Sequence, residues 1–194
     1  MRSSAWLVVL ILAVAQAAAF AGEPVPLVNP SFEESAKADD PKADLAAGWG
    51  RWGHWINRET GWSPTRSGDC IIGYHHWEIP EKDSSGIYQD LADVPAGCDV
   101  TFSVYAYVDE KTDAEHIELR LEPKDGGKTL ASQKYELRTL APAMWQNIEV
   151  SGTTVEPGLR VLIIITPREA GPRTGAIKFD DAELLIQSPG KEVR

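Results

Sequence analysis

Basic residues are scarce in this 194-residue sequence, which has 19 Lys and Arg against 29 Asp and Glu and a formal net charge of −10. This balance disfavours binding to nucleic-acid phosphates or anionic lipid headgroups, because both require positive charge. It favours a neutral or cationic partner. Long apolar runs are also rare, and none after residue 20 is long enough to span a bilayer.

The one long apolar run is "AWLVVLILAVAQAAA", at residues 5–19 behind Arg2. Its length is typical of a secretory signal peptide, and Ala19 and Ala21 are small residues where a cleavage site needs them. We therefore expect residues 1–21 to be a signal peptide, residues 22–187 to form a single domain and residues 188–194 to be a disordered tail. The mature protein is expected to be periplasmic or secreted.

Cysteine is nearly absent, with only Cys70 and Cys98. In an oxidising compartment these two residues favour one disulfide, which would close a loop of about 28 residues. Two separate buried thiols are the alternative, because the sequence does not fix the distance between the Cα atoms.

Catalytic motifs are missing as well. The sequence has no G-x-S-x-G, no Walker loop and no H-E-x-x-H motif. The four histidines lack the spacing of a transition-metal site. The many acidic residues do not single out a catalytic carboxylate pair, so an enzyme gains no support from the sequence.

Short apolar segments with a period of two are abundant, and Gly, Pro, Asp or Asn residues bound them. The clearest predicted strands are 98–108, 116–122, 144–152, 159–166 and 176–186. Weaker candidates are 27–32, the tryptophan-rich stretch, 70–76, 86–91 and 133–137. The segment "KDGGK" at 124–128 predicts a hairpin turn. About ten strands predict an all-β fold with two antiparallel sheets, a sandwich or jelly roll.

Alternation along 98–108 separates two faces of one strand. One face is apolar and is predicted to be core, with Phe102, Val104, Ala106 and Val108. The other face carries Tyr105 and Tyr107 beside two hydroxyl residues, Thr101 and Ser103. This second face suits either a hydroxyl-rich ligand or an ordinary solvated strand surface.

Several phrases, taken in order, resemble one family. They are "LVNPSFEE", "GWGRWG", "TRSGDC", "GIYQDLADVPAGCDVTFSVYAYV" and "IKFDDAELL". Together they resemble the carbohydrate-binding modules of families 4, 9 and 22, which belong to the galactose-binding-like jelly rolls. The resemblance runs from about Leu27 to Ile186. It implies a jelly roll of five strands on five, with a structural calcium ion and, in many members, a sugar-binding cleft on one sheet.

The resemblance also implies which residues hold the calcium. They are Glu33, one of Asp180 and Asp181, and the loop around Ser67. Adjacent residues of a strand point to opposite faces, so Asp180 and Asp181 would both be ligands only at a β-bulge, and Asp181 is the slightly favoured one. Solvated acidic side chains without a metal are the alternative.

The stretch "GWGRWGHWINRETGW" at 48–62 holds four of the seven tryptophans. Sugar rings stack on such side chains at low entropic cost. We expect Trp49 in the core and Trp52 or Trp55 at the cleft. The predicted ligand-binding set is Trp52, Trp55, Trp77, Tyr105, Tyr107, Arg51 and Gln89. Asn57 and Arg58 are further candidate partners for hydroxyl groups.

The sequence therefore predicts an exported module that binds a polysaccharide or oligosaccharide without catalysis. It would act alone, on a cell surface or beside a separate glycan-active enzyme, with no nucleic-acid partner and no membrane span in the mature chain. A structural or protein-interaction jelly roll is the alternative, and a small polysaccharide-degrading enzyme is the third.

Overall fold

The structure is a computed structural model that describes residues 22–37, 44–53, 56–75, 83–112, 114–168 and 174–187. These residues form a series of β-strands and one 3₁₀ turn, Leu137–Thr139. The strands are β1 (Glu23–Pro24), β2 (Gly50–Trp52), β3 (Ile56–Thr60), β4 (Cys70–His75), β5 (Ser85–Leu91), β6 (Asp99–Val108), β7 (His116–Glu122), β8 (Ala131–Glu136), β9 (Trp145–Thr153), β10 (Leu159–Thr166) and β11 (Ala176–Gln187). Within this described part, no helix has the length and apolarity of a transmembrane segment.

Two antiparallel sheets pack face to face. The large sheet has the order β3-β4-β11-β6-β9, with β1 paired to β11, and the small sheet has the order β2-β5-β10-β7-β8. In each sheet the inner face meets the other sheet and the outer face looks away from it. The predicted all-β, two-sheet jelly-roll sandwich is confirmed.

Strand β6 shows how the sequence pattern builds the core. Phe102, Val104, Ala106 and Val108 are buried on the inner face, while Tyr105 and Tyr107 are half-buried on the outer face. Strands β7 and β10 add apolar inner faces opposite, which Ile117 and Ile163 exemplify. Each fully buried side chain of this size contributes about 1.5–3 kcal/mol through the hydrophobic effect. The prediction of the β6 faces is confirmed.

The five clearest predicted strands appear within one residue of their predicted bounds, as β6, β7, β9, β10 and β11. The predicted turn is present between β7 and β8, where Gly126 and Gly127 have φ of 80° and 114°. The predicted strand at 27–32 is wrong. Asn29 and Phe32 have positive φ, and the side-chain amide of Gln89 takes the backbone N–H and C=O of Val28 that a neighbouring strand would pair.

Trp49 packs this irregular N-terminal segment onto the sandwich. Its ring lies 5.3 Å from the ring of Phe32, and its indole N–H donates to the carbonyl of Val28 at 3.1 Å. Both rings are buried in the core. The predicted core position of Trp49 is confirmed.

Cys70 and Cys98 are free buried thiols, so the predicted disulfide is wrong. Cys70 begins β4 and Cys98 immediately precedes β6, and β11 lies between these strands. Two strand spacings alone separate the cysteines by about 10 Å across the sheet, whereas a disulfide needs Cα atoms within about 7 Å. The register adds to this separation, because Ile72 pairs with Phe179 of β11 and Asp99 pairs with Gln187. Burial, with a hydrogen bond to Glu33, raises the pKa of the Cys70 thiol to about 11. That thiol is therefore protonated at neutral pH.

Candidate functional site

One row of side chains crosses the outer face of the large sheet. Cross-strand pairing places Asn57 opposite Gly73, Gly73 opposite Lys178, Lys178 opposite Tyr107 and Tyr107 opposite Trp145. Paired residues share a face, so the row runs from β3 to β9 over five strands. It combines an amide, an ammonium group and two aromatic rings.

Besides Tyr105, three aromatic rings of the described residues lie on this outer face. The rings of Tyr107 and Trp145 are 5.5 Å apart. Trp62, in the loop that follows β3, places its ring 5.0 Å from the imidazole of His75 and is 39% exposed. Rings held this way offer flat apolar surfaces with solvent access.

Lys178 lies between the rings, although it is flanked in β11 by the core residues Ile177 and Phe179. Its ammonium group is 5.5 Å from the ring centre of Trp62 and 4.8 Å from that of Tyr107. It donates to the carbonyl of Ser63 at 3.3 Å and is 3.7 Å from Asp109. The residue is only 4% exposed, so the ring contacts and oxygen partners replace the water that its charge loses.

Glu59 and His75 form a polar pair beside Lys178. His75 Nε2 and Glu59 Oε1 are in hydrogen-bond contact, and both side chains are less than a tenth exposed. The carboxylate lies over Gly73, where a Cβ atom would come 2.5 Å from the carboxyl carbon. Glycine at position 73 therefore leaves the room that the Glu59 carboxylate occupies.

Three buried polar atoms of this face have no hydrogen-bond partner among the described residues. They are Asn57 Oδ1, Glu59 Oε2 and Trp145 Nε1. An unpartnered buried polar group costs about 1–3 kcal/mol, so proteins rarely keep several in one place without a function. The first two atoms are acceptors at the β3 side, and the indole is a donor at the β9 side.

Tyr105 and Tyr107 differ in what covers them. The guanidinium of Arg66 lies 3.5 Å above the ring of Tyr105, so that ring already has a stacking partner. A hollow of about 530 Å³ beside Tyr105 is lined in part by Arg66, Ser103 and Asn147. A second hollow of about 430 Å³ adjoins Tyr107. Both volumes fall in the range of small-molecule sites.

The residues predicted to hold calcium meet around the loop 66–70. Asp180 accepts the backbone N–H groups of Arg66 at 2.9 Å and Ser67 at 3.0 Å. The Ser67 hydroxyl donates to Asp181 at 2.7 Å, and the Arg66 guanidinium pairs with Asp181. Glu33 accepts the backbone N–H groups of residues 69 and 70, both at 3.1 Å.

A β-bulge explains why both aspartates reach one loop. The register of β11 against β6 shifts between Asp180 and Glu183, and Asp181 has φ of 48°. This is the irregularity that the sequence argument required for two adjacent aspartates to act together. No group of three or more His, Cys, Asp or Glu residues able to hold a metal occurs among the described residues. The calcium site stays a prediction.

Asp180 is completely buried. Loss of solvation raises the pKa of its carboxyl, and the charge of Asp181 adds to the increase, against the lowering effect of three backbone N–H donors from Ser67, Arg66 and Asp181. The negative charge at this position is therefore costly, and the loop 66–70 supplies its compensation.

Trp52, predicted for the cleft, lies on the other sheet. It belongs to β2, pairs with Gly86 of β5, and its ring centre is 6.3 Å from that of Tyr88. A Cβ atom at Gly86 would collide with the Trp52 ring. The sequence did not show that β2 and β3 enter different sheets. Grouping Trp52 with Tyr105 and Tyr107 was wrong.

The predicted polar ligand partners divide in the same way. Gln89 is buried and holds Val28, and Arg51 donates to the backbone carbonyl of Ile56 at 3.2 Å. Arg58 binds the carbonyl of Phe32 at 2.8 Å. These three side chains hold backbone groups of the fold, and their role in ligand binding stays a prediction. Only Asn57 lies on the candidate face.

Trp55 and Trp77 lie outside the described residues, so their predicted roles stay predictions. Four residues of the candidate face were not predicted from the sequence as ligand-binding residues: Trp62, Glu59, Lys178 and Trp145. The signal for Lys178 and Trp145 was present, because Lys178 interrupts an apolar run and Trp145 alternates with the core residue Ile148. Trp62 follows a strand end, where alternation carries no information.

No protein-family model matches the chain, and no curated protein matches it. Solved structures do. A family 61 carbohydrate-binding module in complex with β-1,4-galactotriose is 18% identical with a TM-score of 0.56, covering 83% of this chain and 97% of that one. The CBM22-1 xylan-binding domain of Paenibacillus barcinonensis Xyn10C is 17% identical with a TM-score of 0.50, covering 87% and 97%.

A third similar structure is a cyclase from Fischerella sp. TAU, 14% identical with a TM-score of 0.61, covering 86% of this chain and 98% of that one. The chain thus has the jelly-roll fold of carbohydrate-binding modules, and the predicted resemblance is confirmed at the level of the fold. Because an enzyme shares that fold, the function has to be argued from the site.

Proposed function

We propose that the protein binds an oligosaccharide or polysaccharide segment on the outer face of the large sheet, without catalysis. The observation that carries the proposal is the set of unpartnered buried atoms, Asn57 Oδ1, Glu59 Oε2 and Trp145 Nε1, on one face with three aromatic rings. A ligand on this face has to supply donors at one side and an acceptor at the other. Sugar hydroxyl groups do both.

Stacking supplies the apolar part of the proposed binding. The C–H face of a pyranose ring packs against an aromatic ring, and the rings of Trp62, Tyr107 and Trp145 lie along the row that crosses the sheet. Lys178, fixed between two of these rings, adds a donor for hydroxyl oxygens. Rigid side chains lose little entropy on binding, which supports affinity from few contacts.

The test is calorimetric titration of the protein with soluble xylan, β-glucan, galactan and mannan oligosaccharides. We expect saturable binding of at least one of them. Trp62→Ala removes an exposed ring from the large sheet and should weaken that binding about tenfold, equivalent to ~1.4 kcal/mol. Trp52→Ala is the matched control, because it removes the same side chain from the small sheet, and it should leave affinity unchanged.

Equal loss of affinity in both variants would contradict the placement of the site. An absence of binding to every glycan would contradict the function itself and would favour the protein-interaction alternative. Product analysis belongs to the same experiment: the bound glycan should be recovered with its chain length unchanged.

The proposal places the protein outside the cytoplasm, after removal of residues 1–21. The partners would be glycans at a cell surface or on the substrate of a separate enzyme. Fractionation of producing cells tests the location: the protein should be recovered from the periplasm or medium with Gly22 at its N-terminus. Recovery in the cytoplasm with residues 1–21 attached would contradict it.

A structural calcium ion at the loop 66–70 is part of the proposal. The donor set fits calcium in type, because calcium prefers oxygen ligands and this loop brings together the oxygen atoms of Glu33, Asp180, Asp181 and Ser67. The three carboxylates also outnumber the one cation beside them, the guanidinium of Arg66. Bound calcium would neutralise these carboxylates and join the N-terminal segment to β11.

Thermal unfolding with a chelator tests the calcium proposal. If calcium is bound, chelation should lower the melting temperature by several degrees, and added calcium should restore it. An identical melting temperature with chelator and with calcium would show that Arg66 and the backbone N–H groups satisfy the acidic residues alone.

One observation favours a second candidate, acid–base catalysis. The contact between His75 Nε2 and Glu59 Oε1 is the kind of pair that transfers protons, and it lies beside the ring of Trp62. In that case, mass spectrometry of a glycan incubated with the protein would detect new products. Those products should vanish in Glu59→Gln.

A further inference from the structure

We infer that the sugar bound over β3 and β4 carries a free amine, so that the ligand class is an amino-sugar glycan rather than a neutral one. The inference rests on the proposed function and deepens it. Its basis is the arrangement of Glu59 and Asn57 at the β3 side of the outer face.

Glu59 supplies a buried negative charge with half of its hydrogen bonding unmet. Oε1 contacts His75 Nε2, while Oε2 has no hydrogen-bond partner among the residues that the structure describes, and the side chain is 8% exposed. Asn57 lies two residues earlier on the same face, is 6% exposed, and its Oδ1 also lacks a partner. Both unmet atoms are acceptors, so this side of the face lacks donors.

The nearby cations are engaged elsewhere. Lys178 binds the carbonyl of Ser63 and faces Asp109. Arg58, although on β3, turns to Asp44 and to the carbonyls of residues 32 and 33. Among the described residues, no lysine or arginine pairs with Glu59. His75 Nε2 contacts only Oε1 of the carboxylate, so among the described residues Oε2 has no donor and is left for one from outside.

An ammonium group meets this demand better than a hydroxyl group. It has three donors and a positive charge, so one group can reach both acceptors and neutralise the carboxylate. Charge-assisted hydrogen bonds are about twice as strong as neutral ones, and a buried carboxylate gains most from a cation. The net charge of −10 also attracts a polycation over longer distances.

The experiment compares two ligands that differ only at nitrogen. The full chain is titrated with glucosamine oligosaccharides and with N-acetylglucosamine oligosaccharides of the same length, at a pH that keeps the amine protonated. We expect the free-amine ligand to bind at least about tenfold more tightly, equivalent to ~1.4 kcal/mol. That preference should shrink as salt is raised, because part of it is ionic.

Glu59→Gln is the deciding variant, since it keeps the shape of the side chain and removes the charge. It should abolish the preference for the free amine. Glu149→Gln is the matched control, because Glu149 is an exposed carboxylate of β9 on the same outer face. It removes an equal charge and should leave the preference intact. Unchanged melting temperatures establish that both variants fold.

The inference is overturned if the two ligands bind equally, if the preference survives Glu59→Gln, or if Glu149→Gln abolishes it as well. In each of those cases the proposed function still stands if a neutral glycan binds the wild type and Trp62→Ala abolishes that binding. If no glycan of either kind binds, both the function and the inference fail. If Glu59→Gln does not fold, the test is the salt dependence of the wild-type preference for the free amine. A preference that does not change with salt concentration contradicts the inference.

Discussion

The outer faces of the two sheets both carry aromatic rings beside buried charges, but they differ in how those charges are paired. On the small sheet, Arg120 bonds Glu118 at 2.7 Å and Glu122 at 3.3 Å. Arg160 bonds Asp90 through two nitrogens, at 2.7 and 2.9 Å. Each of these carboxylates contacts a guanidinium, with Glu118 and Glu122 sharing that of Arg120. Among the described residues, no buried side-chain polar atom of this face lacks a hydrogen-bond partner.

On the large sheet, pairing is incomplete. Within the part of the chain that the structure describes, Asn57 and Glu59 each keep one unpartnered acceptor, and Trp145 keeps an unpartnered donor. The glycines differ too: Gly86 on the small sheet lies under the ring of Trp52, whereas Gly73 on the large sheet lies under a carboxylate. Aromatic residues alone therefore do not identify a ligand site. Polar groups that the fold leaves without partners do.

The largest effect on stability is expected at Asp180, a completely buried carboxylate that accepts three backbone N–H groups. Asp180→Ala would leave the backbone N–H groups of Arg66, Ser67 and Asp181 without their acceptor, and should lower the free energy of unfolding by about 2–3 kcal/mol. Urea denaturation measures it. Glu118→Ala on the small sheet should cost about 1 kcal/mol, because Arg120 keeps Glu122. The reverse order would contradict the importance given to Asp180.

A second pair of variants addresses binding. Tyr107→Ala should weaken glycan affinity about tenfold, or ~1.4 kcal/mol, because the ring pairs with Trp145 in the proposed site. Tyr88→Ala removes the same side chain from the small sheet and should leave affinity unchanged. Isothermal titration measures both. A loss in Tyr88→Ala alone would move the site to the other face.

Two glycine substitutions sharpen the contrast further. Gly73→Ala should displace the carboxylate of Glu59 and reduce glycan affinity several-fold, with a smaller effect on stability, because a side-chain end can move. Gly86→Ala should reduce stability instead, because its Cβ would approach the backbone carbonyl of Ile163 at 2.6 Å, which cannot move as easily. Affinity and melting temperature of each variant separate the two outcomes. Identical behaviour of the two variants would break the comparison.

The smallest effect is the pH dependence of stability. Burial raises the pKa of Glu118, but the hydrogen bond and charge of Arg120 outweigh it, so its pKa is lowered overall. Its stabilising contribution is present above about pH 4.3, the usual pKa of glutamate, and is lost as pH falls through the folded-state pKa. The difference in unfolding free energy between the wild type and Glu118→Gln should therefore grow with rising pH.

Asp180 should show the opposite sign. Burial raises its pKa in the folded protein, so its contribution is complete below about pH 3.9, the usual pKa of aspartate, and declines as pH rises through the folded-state pKa. The difference in unfolding free energy between the wild type and Asp180→Asn should therefore shrink as pH rises over that range. Denaturation at a series of pH values measures both slopes, and equal signs would contradict this account.

Local pattern predicted much of the fold. Alternation gave the faces of β6, and the glycines of "KDGGK" gave the turn, because both depend only on neighbouring residues. The strand at 27–32 failed because a single distant side chain, Gln89, took the backbone hydrogen bonds of Val28. The disulfide failed because the distance between Cys70 and Cys98 depends on β11, which joins the sheet from the far end of the chain.

The site was predictable only in part. The alternation of residues along β6 placed Tyr107 on an outer face. Trp52 was assigned to the wrong sheet because the order of strands depends on the whole chain. Burial of Lys178 and Glu59 on an outer face was equally hidden, since charged residues in strands usually meet solvent. The sequence also does not show which buried polar atoms lack a hydrogen-bond partner, because partners are set by the three-dimensional fold.

The indole N–H signals of a ¹⁵N-labelled sample test the central claim most directly, during titration with a glycan that binds. Trp145 Nε1 is buried and has no hydrogen-bond partner in the described part of the chain. Its signal should shift strongly as it donates to the ligand, while the signal of Trp52 on the small sheet should not change. A shift of Trp52 with no change at Trp145 would show that the ligand binds the other face, and would contradict the account.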